Sequence, residues 1–128
     1  MSDGVLLILG YLTLVYTTKH PAILLVEEPE NGIHPKLLRF VTELLRGLSR
    51  GLDENTPPVQ IIITTHSPYL LDYTGPEEVF IFQKDQDGAS TITPMAEVKG
   101  IKEWLSEFML GELWTNWGEE ELIRRSKL

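Results

Sequence analysis

Two short polar clusters, each closing an apolar run, hold the residue types that could do chemistry. The first is VEEPENGIHP at 26–35, where Glu27, Glu28 and Glu30 follow the apolar residues 22–26. The second is TTHSP at 64–68, where His66 follows the largely apolar run 59–63. Adjacent carboxylates repel, and burying one without a partner costs several kcal/mol or forces it to take up a proton. Such a pair is therefore kept either at a solvated strand end or where something positive, such as a metal ion, belongs. Carboxylates in that position can hold Mg²⁺ through water and activate a nucleophile, and a histidine beside them can contact a phosphate. Each cluster alone also has a plainer reading, a solvated strand end for the glutamates and the neighbour of a helix cap for His66.

The elements that must position these residues can be read from pattern. Residues 22–27 and 59–64 are continuous apolar strands of the kind found in a parallel sheet covered on both faces. Asn31 and Gly32 make a turn, and Pro35 stands where the first residue of a helix tolerates it. Leu37, Leu38, Val41, Leu44, Leu45 and Leu48 then form an apolar stripe at helical spacing, ended by Gly51 and the loop 53–58. A short helix is predicted over 68–72, a third strand over 78–83 and a fourth over 90–93 after the turn 85–88. Helices are predicted over 99–110 and 118–126, separated by GELWTNWG. At the start, Ser2 or Asp3 caps a helix running to about Thr17. Strand–helix alternation with long apolar strands argues an α/β fold. In open parallel sheets ligands bind beyond the carboxyl ends of the strands. If the first two strands are parallel neighbours, Glu27, Glu28 and His66 converge there.

Bulk properties narrow the function classes. The chain has 128 residues, a net charge of -8 and no cysteine. No clustered positive charge is present for phosphate-backbone contacts, so direct nucleic-acid binding is not expected. Disulfides and thiolate metal sites are excluded, which suits a reducing cytoplasm. The apolar run 5–16 is shorter than the roughly 20 residues a membrane span needs, and it lacks the flanks of a signal peptide. A buried helix is expected there, and no membrane association.

ILLVEEPENGIHP followed by IIITTHSPYLLD resembles the second half of an ABC-type ATPase head, most closely the RecF/SMC-like and OLD-like branch of stand-alone bacterial ATPases. The resemblance implies a P-loop NTPase fold with a mostly parallel sheet flanked by helices. It implies that the first cluster is the Walker B motif, with Glu27 holding the Mg²⁺ shell through water and Glu28 as the catalytic glutamate that polarises the attacking water. Asn31, Gly32 and His34 fall on the D-loop, at a dimer interface, and His66 on the switch histidine that contacts the γ-phosphate. MSDGVLLIL is similar to that branch's signature motif, so Ser2, Asp3 and Gly4 would meet ATP bound to the opposite protomer; a helix N-terminus with a hydroxyl is a fitting anion site. The resemblance covers residues 1–84 well and the rest loosely, although FMLGELWTNWGEEEL is similar to C-terminal segments of these ATPases.

The chain departs from the pattern in one large respect. No G-x-x-x-x-G-K-[ST] occurs, and that loop supplies most of the phosphate grip. The chain is therefore expected to be the C-terminal part of a longer head, with residues 1–98 as the lobe carrying signature, Walker B, D-loop and H-loop, and residues 99–128 as a helical tail. Asp3 replaces the usual second glycine of the signature, and Glu27 replaces an aspartate, a change common in this branch. Three readings follow. The first is a half-site for Mg²⁺ and ATP that needs a Walker A lobe and works as a homodimer or oligomer, in a DNA-repair or phage-defence type system. The second is a metal-dependent hydrolase or nuclease using Glu27, Glu28, Glu30 and His66. The third is a non-catalytic module that associates through its exposed sheet edge and apolar helix.

Overall fold

The computed structural model describes residues 3–128, and packing divides the chain into two compact units, one ending at Leu70 and the other spanning Leu71–Leu128. Ser2 lies outside the described residues. The first unit contains helix α1 (Asp3–Tyr16), strand β1 (Ile23–Glu27), helix α2 (Pro35–Arg50) and strand β2 (Gln60–Thr64), followed by the single turn α3 (Pro68–Leu71).

β1 and β2 are parallel neighbours, in a register that sets Val26 beside Ile63 and Glu27 beside Thr64. Parallel pairing needs a long crossover, which α2 supplies. Side chains alternate across a strand, so Leu24, Val26, Ile61 and Ile63 share one face. They pack with Ile33, Val41, Leu45 and with Ile8 and Tyr11 of α1. Leu38, Val41, Leu45 and Leu48 recur every three or four residues and are all buried, each side chain contributing about 1.5–3 kcal/mol of hydrophobic stabilisation. Leu37 of the predicted stripe instead faces solvent, because it falls one position off that spacing. Ile23, Leu25 and Ile62, on the opposite sheet face, are exposed, so within this unit the sheet carries helices on one side rather than two. α1 is apolar on every side; Val15 is buried while Val5, Leu6, Leu7 and Leu9 are exposed.

The second unit holds strands β3 (Phe80–Lys84) and β4 (Ser90–Pro94) and helices α4 (Ile101–Trp104) and α5 (Leu110–Ser126). β3 and β4 form an antiparallel hairpin, Phe80 opposite Pro94 and Lys84 opposite Ser90. The turn explains the direction: Asp85 Oδ1 accepts from the Asp87 and Ala89 backbone N–H groups, and Gly88 takes φ 82°, so only an antiparallel partner is in reach. The described residues thus carry one parallel and one antiparallel pair, an α/β arrangement in which parallel pairing does not predominate. Ile81, Met95, Val98, Ile101, Leu110, Leu113, Leu122 and Ile123 make one core. Residues on both sides of the 98/99 boundary contribute to it.

The tail differs from expectation. Residues 111–117 are helical, not a separator, and the break falls at 105–109 instead. Glu112 explains the start of α5, since its Oε2 accepts from the Met109 N–H while Asp72 Oδ1 accepts from the Gly111 N–H. Gly118, at φ 73°, kinks α5 at the point where a second helix was expected to begin. Beyond it Glu121 pairs with Arg124 and Arg125, whose hydrogen bonds hold its carboxyl down at about 2. Arg125 also stacks over Trp117 at 4.3 Å, and Trp117 meets Trp104 edge to face.

Candidate functional site at the strand ends

The parallel register brings the two polar clusters together at the carboxyl end of β1 and β2, and all of the site lies within the first unit. Glu27 is the last residue of β1, exposed and level with Thr64. Glu28 follows, and its backbone N–H still donates to the Thr64 carbonyl at 2.9 Å, continuing the ladder by one bond. There the strand direction ends: Glu28 has φ 41°, among the described residues the only non-glycine with positive φ. A left-handed backbone costs an L-residue without a short polar side chain roughly 1–2 kcal/mol. The conformation points the carboxylate away from the pleat and is locked by the tight turn that follows, in which the Asn31 N–H donates to the Glu28 carbonyl at 2.9 Å.

The Glu28 carboxylate is held by a hydrogen bond and has a histidine nearby. Asn31 Nδ2 donates to Oε2 at 2.6 Å, and His66 Nε2 lies 3.7 Å from Oε1. The histidine side chain is 88% exposed, so its place is set by its backbone rather than by packing. A cavity of about 260 Å³ opens beside the pair, lined by Leu7, Tyr11, Glu27, Glu28, Pro29 and Asn31. Burial and the charge of Glu30 push the Tyr11 hydroxyl above its usual pKa, in that order of importance, so it is protonated at neutral pH.

The remaining expected residues divide in two. Gly32 takes φ 83° in the turn, and Gly4 opens α1 against it; a Cβ on Gly4 would stand 2.7 Å from the Gly32 carbonyl oxygen. The first turn of α1 thus approaches the 28–32 turn closely, a contact that only glycine at position 4 permits. The Asp3 backbone is the first of α1. His34 caps α2, its Nδ1 accepting from the Lys36 N–H at 3.2 Å. Three further residues belong to the site that sequence reasoning does not single out. Leu7 and Tyr11 reach the cavity because they fall at helical spacing from Gly4, and nothing in the apolar run 5–16, which holds both Tyr11 and Tyr16, singled them out. Thr65 binds Glu30, joining the two clusters.

Two oxygen-rich acids at a cavity edge fit a hard divalent cation. Mg²⁺ binds through one or two carboxylates, with waters and substrate phosphates completing the octahedron. Among the described residues no group of three or more His, Cys, Asp or Glu side chains is placed to hold a metal alone. Glu30, offered as a further ligand in the nuclease reading, is turned toward Thr65 and the His66 backbone instead.

Residues 1–72, more than half of the chain, match the family described as "AAA domain, putative AbiEii toxin, Type IV TA system". The chain belongs to this AAA-domain family. It is also 31% identical over 91 residues to the "Probable ATP-dependent transporter ycf16" of Cyanophora paradoxa, covering 69% of this chain and 32% of that protein. The AAA-domain chain thus spans about a third of that relative's length. Both likenesses are, at family level, to ATPases. The strand-end cluster lies inside the matched residues. Among the described residues no helix of this AAA-domain protein is long and apolar enough to cross a membrane.

Proposed function

We propose that the chain is the C-terminal lobe of an ATP-binding and ATP-hydrolysing ABC-type head, of the RecF/SMC-like and OLD-like branch. The observation that carries this reading is the strained turn at Glu28. A backbone outlier held by its surroundings is characteristic of functional sites, and this one aims a carboxylate at a cavity with a histidine beside it.

In this reading Glu28 orients the attacking water and accepts its proton, Asn31 fixing the carboxylate rotamer so that Oε1 stays available. His66 donates to the γ-phosphate from the other side. Glu27 would hold Mg²⁺ through its water shell, and the chemistry such an ion would supply with ATP is neutralisation of phosphate charge. Ser2, Asp3 and Gly4 form the signature that meets ATP of the opposite protomer, with Asn31, Gly32 and His34 alongside as the D-loop. Residues 1–98 act as the nucleotide-handling lobe and 99–128 as its helical tail. The head needs a Walker A lobe, since no G-x-x-x-x-G-K-[ST] is present in the 128 residues. The exposed apolar residues of α1 and of the second β1–β2 face support a covering lobe of that kind, and within it β1 and β2 would join a larger, mostly parallel sheet. A homodimer working in the cytoplasm, in a DNA-repair or phage-defence type system, completes the proposal.

The test is steady-state hydrolysis and nucleotide retention by a head that includes the Walker A lobe. Glu28→Gln is expected to lower turnover by about a thousandfold while ATP stays bound. His66→Ala is expected to lower kcat more than it weakens ATP binding. Turnover that survives in Glu28→Gln removes the glutamate from the mechanism. Hydrolysis of a phosphoester with a divalent metal and no ATP would favour instead the metal-dependent hydrolase built on Glu27, Glu28 and His66.

A further inference from the structure

We propose that Glu30 is a positioning residue that sets His66 against Glu28, a role that rests on the reading of that pair as catalytic. Glu30 Oε1 accepts from Thr65 Oγ1 at 2.6 Å and from the His66 backbone N–H at 3.1 Å. Thr65 Oγ1 accepts in turn from the Ser67 N–H at 2.9 Å. These bonds join residues 35 and 36 positions apart in the chain, at the point where the β1–β2 ladder stops. Past Thr64 the Glu28 backbone turns out of the sheet, so regular pairing does not hold His66.

Its side chain is too exposed to be fixed by packing, so the backbone tie is the constraint that keeps the ring within reach of Glu28. The tie is charge-assisted, and such hydrogen bonds are roughly twice as strong as neutral ones. The other oxygen of Glu30 is buried and finds no hydrogen-bond partner among the described residues. Tyr11 is close enough for the Glu30 charge to perturb its hydroxyl, and Tyr11 lines the same cavity as Glu27 and Glu28. Glu30 thus stands between α1 and the loop after β2, committed to orienting a neighbour rather than to the cavity.

The test has two parts. In the 128-residue chain, amide hydrogen exchange followed by NMR reports the tie directly. Glu30→Ala is expected to speed exchange at His66 by about tenfold or more, with the ladder amides of Leu25 and Ile62 unchanged. Glu30→Gln keeps an oxygen acceptor and is expected to stay within about threefold of the parent. Unchanged exchange at His66 in Glu30→Ala overturns the proposal, and so does an equal rise at His66 and in the ladder. In a head with its Walker A lobe, Glu30→Ala is expected to lower kcat about tenfold or more, with KM for ATP within about twofold. Because Glu30 acts through His66, the double variant Glu30→Ala/His66→Ala is expected to be no slower than His66→Ala alone; losses that multiply overturn it. A parent head that hydrolyses no ATP overturns the catalytic pair and Glu30's role with it, while the exchange result still says whether the tie exists.

Discussion

Glu28 has a left-handed backbone, φ 41°, in a position where asparagine or glycine is the less strained choice. If the strain serves function, relieving it raises stability and removes activity. Glu28→Asn is therefore expected to raise the free energy of unfolding by about 1 kcal/mol, seen as a higher urea midpoint with unchanged slope. A lower midpoint would mean that the hydrogen bond from Asn31 outweighs the backbone penalty. The chemical identity of Glu27, Glu28 and His66 as a group was legible in the sequence, because each follows an apolar run that had to be a strand. The separate placement of Glu30 was not. The turn leaves Glu27 and Glu28 together at the cavity and ties Glu30 to Thr65 instead.

At the scale of elements, α1 offers a matched pair of glycines. A Cβ at Gly4 would meet the Gly32 carbonyl oxygen at 2.7 Å, whereas at Gly10 it would meet nothing within 4 Å. Gly4→Ala is expected to destabilise by about 1–3 kcal/mol, because backbone must move. Gly10→Ala, in the same helix, is expected to stabilise by up to about 1 kcal/mol from helix propensity alone. Equal effects, measured by urea unfolding, would show that helix propensity dominates and that the approach of α1 to the 28–32 turn is not tight. Strands and helices with strong periodicity, β1, α2 and β2, fell where the pattern placed them. The tail did not, because GELWTNWG looks like a loop until Glu112 is seen capping α5 and the break falls at 105–109, with Gly118 left as a kink inside α5. Capping is a contact between particular atoms, and composition alone does not reveal it.

At the scale of the whole molecule, the cavity is bordered by acids, and the net charge is -8. Binding a nucleotide triphosphate there requires positive charge or backbone N–H groups from elsewhere. Isothermal calorimetry of the 128-residue chain with ATP and Mg²⁺ is expected to show no binding; a clear binding isotherm would mean that the chain builds a phosphate site of its own. The sequence by itself determined that two apolar strands end in acids and a histidine, that a helix long enough for a parallel crossover joins them, and that no phosphate loop is present. These are statements about local pattern, and local pattern is written in neighbouring side chains. Only the tertiary structure decided that β3 pairs with β4 in antiparallel register, that Gly4 meets Gly32, and that Glu30 reaches across to the His66 backbone. Each depends on which distant residues the chain brings within hydrogen-bond or van der Waals distance, and that is a property of the folded backbone, not of neighbouring letters.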